Sequence, residues 1–321
     1  MTLKKTAADD ADRVIEISRV LDHPRERVWK AWADPAQVVK WWGPRGFSTT
    51  TDKRDFRKGG TWKHVMIGPD GAKYPNSAVF LEIDEPERIV YRNGGVAEGE
   101  TQGVGFVSTV TFEDLGGKTR LTLRLVFDTA QMRDFAATRF GAEEGGRQTL
   151  ARLAEHCAGE FVVSRLLDAP RERVWRAWTE PERLAAWFGP KGMQVAGQTL
   201  DLRPGGTYHY GLRSPGGQEM WGKWEFREIA APERLVFVQH FSDPKGGVTR
   251  HPMSATWPLR TLATLLFEDM GGKTLLTLKW APLDATAEER ATFDGAHEQM
   301  RGGWGGTLDQ FAAYLAAEGG R

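Results

Sequence analysis

Two polar side chains on neighbouring predicted strands could do acid–base chemistry. His64 alternates with Trp62 and Met66 along one strand, and Glu82 falls on the same alternating pattern of the next strand. An imidazole held beside a carboxylate can accept and return a proton during a reaction. A later stretch of the chain repeats the pattern with Tyr210 in place of His64. We therefore put forward His64 and Glu82 as a hypothetical acid–base pair. Only one of the two related stretches contains both residues.

Aromatic side chains around these positions favour a different chemistry, the binding of an apolar molecule. The chain has 13 tryptophans, and aromatic walls with a few polar groups are typical of small-molecule cavities. A strand period of two fixes which residues share a face but not which face is inside, so a close-packed core or a solvent-facing surface is the alternative. The residues that we predict to line a cavity are Trp62, His64, Met66, Phe80, Tyr91, Tyr208, Tyr210, Trp224, Phe226, Phe237, Trp257, Met300 and Trp304.

Other kinds of reactive site are not indicated by the sequence. The seven histidines are scattered, without a cysteine cluster or a closely spaced histidine pair, so we expect no metal site and no cofactor. Neither a Gly-x-Ser-x-Gly elbow nor a phosphate-binding loop occurs. The single cysteine, Cys157, falls on the apolar face of a predicted helix. A buried structural thiol is expected there rather than a nucleophile.

The chain contains two copies of one domain-length pattern. The segment Pro24-Arg-Glu-Arg-Val-Trp-Lys-Ala-Trp32 recurs as Pro170-Arg-Glu-Arg-Val-Trp-Arg-Ala-Trp178. A repeat of this length is far longer than a solenoid repeat and matches a single domain. We therefore predict a disordered tail at residues 1–12, a first domain at residues 13–158 and a second domain at residues 159–321.

Each copy has the same predicted order of elements: a strand, two short helices, a series of antiparallel strands and one long closing helix. Pairs of glycines fall inside both closing helices, where each glycine costs about 1 kcal/mol relative to alanine, so we expect a bend or a close contact between helix and sheet. Equivalent elements predicted in the two copies are the opening strands Arg13–Leu21 and Glu160–Leu167, the strands Thr61–Ile67 and Thr207–Arg213, and the closing helices Met132–His156 and Thr286–Ala317.

This order and these motifs resemble a known family. The order is similar to the helix-grip fold of the START, polyketide-cyclase and birch-pollen-allergen superfamily (SRPBCC), an α+β fold in which an antiparallel sheet wraps around a long C-terminal helix. The Pro-Arg-Glu-Arg-Val-Trp and Trp-(Trp/Phe)-Gly-Pro motifs, and Gly-Trp-Gly-Gly-Thr-Leu at 303–308, look like its branch named after the activator of the heat-shock protein 90 ATPase. The resemblance implies two tandem helix-grip domains.

The two copies depart from each other around the expected cavity mouths. The first copy has Gly146 where the second has Trp304. A glycine-rich loop at residues 93–105 in the first copy is replaced in the second by an insertion after Phe241 that contains Trp257. We therefore expect two cavities of different shape.

The resemblance implies three kinds of function, because the superfamily includes carriers of apolar ligands, cyclases and co-chaperone modules. We favour non-catalytic binding of a lipid-like or aromatic molecule between the sheet and the closing helix. One alternative is co-chaperone-like protein binding, although only a short polar segment precedes the first strand here, whereas eukaryotic activators add an amino-terminal domain. The other alternative is a cyclase- or hydrolase-type reaction on an apolar substrate.

The composition of the chain limits which other kinds of partner we expect it to bind. The 43 Lys and Arg balance 43 Asp and Glu, and this zero formal net charge gives no long-range attraction to nucleic acid or to an anionic membrane. No stretch approaches the ~20 apolar residues that cross a bilayer, and the first residues do not resemble a signal peptide. With one cysteine no intrachain disulfide can form, so we expect a cytoplasmic protein. We also expect a monomer in which the duplicated domains pair within the chain.

Overall fold

The computed structural model describes residues 7–94 and 105–319, and the chain divides into two units, Met1–Ala158 and Gly159–Arg321. The first unit consists of a 3-10 helix (Ala7–Arg13), β1 (Val14–Leu21), α1 (Arg25–Ala33), α2 (Pro35–Trp41), β2 (Ser48–Arg54), β3 (Thr61–Ile67), β4 (Lys73–Asp84), β5 (Arg88–Asn93), β6 (Phe106–Asp114), β7 (Thr119–Phe127), α3 (Ala130–Phe140) and α4 (Ala142–Ala158). Its strands form one antiparallel sheet in the order β1-β7-β6-β5-β4-β3-β2. The helices α1 and α2 therefore carry the chain from one edge of the sheet to the other.

The second unit repeats this architecture. It consists of β8 (Phe161–Leu167), α5 (Arg171–Thr179), α6 (Pro181–Trp187), β9 (Gln194–Leu200), β10 (Thr207–Arg213), β11 (Glu219–Ala230), β12 (Arg234–Ser242), β13 (Val248–Thr249), β14 (Arg260–Asp269), β15 (Thr274–Leu283), α7 (Ala287–Gly295) and α8 (His297–Gly319). The main strands follow the order β8-β15-β14-β12-β11-β10-β9, and the short β13 pairs with the end of β12. The insertion predicted after Phe241 thus forms a small hairpin and the loop that follows it.

The single closing helix predicted for each copy is wrong, because each copy closes with two helices. In the first copy Gly141 adopts a left-handed conformation with φ of 58° and ends α3, and α4 starts at the next residue. Glycine reaches this conformation without the steric cost of a side chain. In the second copy Ala296 separates α7 from α8. The helix α4 packs along the opening strand β1, which α3 also contacts, and α8 packs along the opening strand β8.

Local sequence signals explain where several helices start. The Asp34 carboxylate caps α2 by accepting a hydrogen bond from the Ala36 amide at 2.8 Å, with Pro35 in the first turn. Thr129 caps α3 in the same way, through the Met132 amide at 3.1 Å. At α7 the side chains of Thr286 and Glu289 form a capping box. These caps satisfy backbone N–H groups that a helix start leaves without partners.

The tryptophans of the repeated motif anchor both cores. Trp32 and its equivalent Trp178 are fully buried. Trp41 donates its indole N–H to the Ala31 carbonyl at 2.9 Å, and the equivalent Trp187 makes the same bond to Ala177 at 2.9 Å. The hydrogen bonds fix the angle between the two short helices of each copy, so α1 with α2, and α5 with α6, form equivalent rigid corners.

The predicted disordered tail at residues 1–12 is partly helical, since the 3-10 helix begins at Ala7. Arg13 holds this helix by pairing with Asp10 and donating to the Asp128 carbonyl at 3.1 Å. Residues 1–6, and residues 95–104 of the predicted glycine-rich loop, lie outside the described part of the chain. None of the helices within residues 7–94 and 105–319 is long and apolar enough to cross a bilayer.

Candidate functional site

A cavity of about 440 Å³ lies between the sheet and the closing helices of the first domain. The strands β3 to β7 form its floor, and α3, α4 and the loop after α2 form its walls. Most of the side chains that border it are apolar or aromatic, among them Phe47, Phe106, Leu125, Phe127, Phe135 and Phe140.

Three of the five first-domain residues predicted to line a cavity border this one: His64, Met66 and Tyr91. Trp62 and Phe80 are fully buried in the core and are not among the bordering residues. The strand alternation places all five on one face of the sheet, but Trp62 and Phe80 lie toward the end that Phe56 and Arg54 cover. A shared face is therefore not sufficient to place a residue at the cavity.

His64 is a buried polar residue of the cavity wall, as are Ser108 and Thr149. Its Nε2 accepts a hydrogen bond from the Trp42 indole N–H at 3.2 Å, and its ring stacks on Trp62 with a centroid distance of 4.2 Å. Burial, and to a lesser extent the charge of Arg54, lowers the pKa of His64 to about 4. The ring is therefore neutral near pH 7. Because Nε2 accepts a bond, the proton of the neutral ring is on Nδ1.

Arg54 places a positive charge beneath the cavity. Its guanidinium donates to the backbone carbonyls of Ala33 and of Trp32, the latter at 2.6 Å, at the end of α1. The same group lies 5.1 Å from the centre of the Trp62 ring, within the range of a cation–π contact. Burial lowers the pKa of Arg54 to about 10, so the group stays charged at neutral pH. The second domain has Leu200 at the equivalent position.

The hypothesis of a His64–Glu82 acid–base couple is wrong. The Glu82 carboxylate accepts from Arg88 Nε at 2.8 Å on the exposed side of the sheet. A β-bulge between Phe80 and Glu82 interrupts the pairing of β4 with β5, and so removes Glu82 from the face that carries Phe80. After this bulge the residues of β4 no longer follow the alternation of faces that was assumed from the sequence.

The part of the first cavity wall that the loop after α2 forms is held in place from α4. Arg152 donates to the carbonyls of Gly43 and Pro44, each at 2.9 Å, and to that of Phe47 at 3.0 Å. Arg45 in the same loop pairs with the Glu155 carboxylate at 2.9 Å. Because Pro44 and Phe47 border the cavity, these bonds fix this part of its wall.

The second domain encloses a larger cavity of about 640 Å³ in the same place. Four of the eight second-domain residues predicted to line a cavity border it: Tyr210, Trp257, Met300 and Trp304. The other predicted residues lie in the adjoining aromatic core and are buried: Tyr208, Trp224, Phe226 and Phe237. Trp224 stacks on Phe237 with a centroid distance of 4.3 Å, so these two rings pack against each other in the core.

Sequence reasoning missed aromatic residues that border both cavities. Trp42 and Phe188 are equivalent, and each is the second aromatic residue of the Trp-(Trp/Phe)-Gly-Pro motif. Their recurrence immediately before a Gly-Pro turn was a signal for them. Trp280 also borders the second cavity and donates its indole N–H to the Thr261 hydroxyl at 2.6 Å. In the sequence it is the last member of the alternating pattern of β15.

One histidine–carboxylate pair was also missed. His240 Nε2 lies 3.2 Å from the Glu225 carboxylate, and His240 Nδ1 lies 3.2 Å from the Phe241 carbonyl oxygen. Strand alternation places Glu225 on the opposite face of β11 from the core residue Trp224. Both ring nitrogens of His240 thus have hydrogen-bond partners within the protein, the Glu225 carboxylate and the Phe241 carbonyl. Within the described ranges no three His, Cys, Asp or Glu side chains come together as metal ligands.

These features define a class of protein: an α+β helix-grip fold in which an antiparallel sheet and a C-terminal helix enclose a ligand-sized cavity, present here in two tandem domains. Residues 22–158 and 168–316 both match the family described as "Activator of Hsp90 ATPase homolog 1-like protein", and the chain belongs to that family. The resemblance and the fold class inferred from the sequence are confirmed.

Solved structures that are similar to the chain include single-domain and two-domain proteins. One from Nitrosomonas europaea is 27% identical with a TM-score of 0.41, and the match covers 46% of this chain and 95% of that one. One from Arthrobacter aurescens is 28% identical with a TM-score of 0.44, covering 49% and 92%. The di-domain ARO/CYC BexL from the BE-7585A biosynthetic pathway is 14% identical with a TM-score of 0.38, covering 94% and 98%. No curated protein sequence matches the chain.

Proposed function

We propose that each domain binds an apolar small molecule in its cavity and does not transform it. The observation that carries this proposal is the pair of cavities, about 440 and 640 Å³, at equivalent places between sheet and closing helix. Both volumes fall in the range of about 300–1,000 Å³ that small-molecule sites occupy. Their aromatic and aliphatic walls favour a hydrophobic ligand, since burial of apolar surface contributes about 25 cal/mol per Å².

The groups at the position for which the sequence offered acid–base chemistry support binding rather than proton transfer. Glu82, the acid expected beside His64, is paired with Arg88 on the exposed side. In the second domain Tyr210 replaces His64, and burial raises the pKa of that phenol above its ordinary value. Neither the His64 imidazole, with a pKa of about 4, nor the Tyr210 phenol is matched to the pH of a neutral solution, as an acid–base catalyst would be.

A glycine in α8 offers a way to close the second cavity without disturbing its walls. Gly303 borders the cavity, and a Cβ built on it would meet nothing within 4 Å. Its neighbour Gly302 also has open space around a Cβ; both glycines are exposed, and Gly302 does not border the cavity. The variants Gly303→Leu and Gly302→Leu therefore add the same side chain to the same helix, and only the first adds it at a position that borders the cavity.

The test is titration of the full chain with the neutral fluorescent probe N-phenyl-1-naphthylamine, with native mass spectrometry to count bound molecules. We expect two molecules per chain for the original protein and for Gly302→Leu, and one for Gly303→Leu. Failure of the original chain to bind this probe, together with the absence of any co-purified apolar compound, would overturn the proposal. It would favour the protein-binding activity that the family description names.

A further inference from the structure

Both asparagines of the sequence, Asn76 and Asn93, border the first cavity. Asn76 lies opposite His64 in the pairing of β3 with β4, and the next residue on that face, Ala78, is buried in the core. Asn93 follows Tyr91 by two residues on β5, where the pairing with β6 is regular, so it shares the inner face with that ring. Both asparagines are half-buried. The floor of the first cavity therefore contains two primary amides.

The amide nitrogens of both side chains are already bonded to the protein. Asn76 Nδ2 donates to the Tyr74 carbonyl at 2.8 Å, and Asn93 Nδ2 donates to Ser108 Oγ at 2.8 Å. A backbone carbonyl can only accept, so the bond to Tyr74 requires the nitrogen of Asn76 at that place and leaves Oδ1 as the free end of the amide.

The two amide oxygens are accessible acceptors. Neither Asn76 Oδ1 nor Asn93 Oδ1 accepts a hydrogen bond from any residue that the structure describes, and neither is one of the fully buried polar atoms that lack a partner. Each oxygen therefore keeps surface that water can reach. Because both side chains lie on the inner face of the sheet and border the cavity, this surface belongs to the cavity.

We propose that the ligand of the first domain carries a hydroxyl group that donates a hydrogen bond to Asn76 Oδ1, with Asn93 Oδ1 as a second acceptor. This inference rests on the proposed function, since both asparagines border the cavity that the ligand would occupy. A hydrocarbon ligand would remove water from these oxygens and return no hydrogen bond, and a ketone would add another acceptor. An alcohol or phenol of the same shape replaces the bond that water made.

The two acceptors are close enough to serve one small ligand. Ala78 is directly opposite Asn93, and Asn76 precedes Ala78 by two residues on the same face of β4. Residues in this diagonal relation are about 7–8 Å apart. The bonds to Tyr74 and Ser108 hold both amides in place before a ligand arrives, so little conformational freedom is lost on binding.

The second domain lacks this arrangement. Gly222 stands in place of Asn76, so the first acceptor is missing there. Gln239 stands in place of Asn93, and an alanine stands in place of the partner Ser108. An amide without that partner can turn either its oxygen or its N–H groups toward a ligand. The preference for a hydroxyl group should therefore belong to the first cavity, which makes the second domain an internal reference.

The experiment compares 1-(2-naphthyl)ethanol with 2-acetylnaphthalene, which share one skeleton and differ in having a hydroxyl or a carbonyl group. The full chain is titrated with each probe, and amide NMR signals of β5 and β6 report on the first domain while those of β12 and β14 report on the second. One hydrogen bond of this kind corresponds to about a tenfold difference in affinity. We expect that preference for the alcohol in the first domain and nearly equal affinities in the second.

Asn76→Leu removes the acceptor and keeps a side chain of similar size. It should abolish most of the preference for the alcohol in the first domain and leave both affinities of the second domain unchanged. The control is Gln131→Leu, which removes an exposed amide of α3 that does not border the cavity. This control should retain the full preference.

A second readout follows the acceptors themselves in the original chain. Because the sequence has two asparagines, labelling asparagine with ¹³C at Cγ gives two signals, and Asn76→Leu identifies them. The Asn76 signal should move downfield with the alcohol and move less with the ketone. Equal first-domain affinities for the two probes, with no difference in this signal, would overturn the hydroxyl requirement and leave the apolar cavity intact. If neither probe binds to the first domain, both the hydroxyl requirement and the proposed function of that domain fail.

Discussion

The hydroxyl group of Tyr210 lies where a side chain at position 222 would have to begin: a Cβ on Gly222 would be 2.5 Å from Tyr210 Oη. The two residues are directly opposite each other on β10 and β11. In the first domain His64 and Asn76 are opposite each other at the equivalent places. The larger phenol is therefore accommodated by a glycine, and the smaller imidazole leaves room for an amide. This pair of positions accounts for part of the difference between the two cavities.

Gly222→Ala should destabilise the second domain by about 1–3 kcal/mol, since the added methyl group overlaps a fully buried ring that must shift. Thermal unfolding followed by amide NMR signals of β10 and β11 measures this loss. Gly216→Ala is the control, because a Cβ there would meet only the Ser214 hydroxyl at 3.8 Å. Combining Gly222→Ala with Tyr210→His should recover stability, and simple additivity of the two losses would contradict the steric coupling.

Much of the fold could be predicted from patterns that local interactions determine. The strands β3 and β10 have the predicted bounds, because alternation and glycine turns mark both of their ends. A bend was expected at the glycine pairs inside the closing helices, but the breaks fall at Gly141 and Ala296 instead. Gly141 is one of several glycines near the end of the first domain, and the amino-acid sequence does not show which of these glycines adopts a positive φ.

The candidate site was harder to predict than the fold, because it depends on the ends of strands and on contacts between distant segments. His64 and Tyr210 could be placed by alternation, but the bulge after Phe80 moved Glu82 to the other face. Trp42 contacts His64 across a loop, and strand periodicity carries no information on such a contact. Which aromatic residues border the cavities and which fill the core depends on packing depth, and a period of two does not encode depth.

The helix glycines Gly146 and Gly302 should respond differently to alanine. A Cβ on Gly146 would lie 2.3 Å from Ile17 Cδ1, whereas one on Gly302 would meet nothing within 4 Å. Gly302→Ala should therefore stabilise the second domain by about 1 kcal/mol through helix propensity. Gly146→Ala should gain less or lose stability, because α4 packs too closely on β1. Urea unfolding of both variants measures this, and equal stabilisation would show that β1 adjusts without cost.

Cys157 should be unreactive in the folded protein. Its side chain is buried in the first core, and burial raises the pKa of the thiol to about 12. The nucleophilic thiolate is therefore scarce at pH 8. We expect no modification by iodoacetamide within an hour at that pH and complete modification in 6 M guanidinium chloride, both read by mass spectrometry. Rapid labelling of the native chain would show that α4 opens often.

The stability of the first domain should fall as the pH is lowered from 6.5 toward 4. Burial holds the pKa of His64 at about 4 in the folded state, against an ordinary value of 6.5 in the unfolded chain. Between these values the unfolded state binds more protons than the folded one, so acid favours unfolding. The contribution is fully present above pH 6.5 and is reduced by about 2 kcal/mol at pH 5.

Urea titrations at pH 7.5 and pH 5, followed by amide NMR signals of β3, isolate this effect from the second domain. The reference is His64→Gln, which removes the titrating group and keeps a polar side chain of similar size. The original chain should lose about 2 kcal/mol more than His64→Gln over this interval. Identical losses in the two proteins would mean that the imidazole accepts a proton in the folded state.

Arg54→Leu tests how the buried cation acts on the site, with the second domain as precedent, since Leu200 holds the equivalent position there. Removal of the charge should raise the pKa of His64 above its value of about 4, and by only part of the way to 6.5, because burial is the larger cause of the shift. The substitution also leaves the Trp32 and Ala33 carbonyls without their donor, so some loss of stability accompanies it.

NMR titration of the His64 Cε1–H signal measures the pKa of His64. The control is Arg57→Leu, at an exposed neighbour that pairs with Asp55, which should leave this pKa unchanged. An unaltered His64 titration in Arg54→Leu would show that the cation is screened from the imidazole.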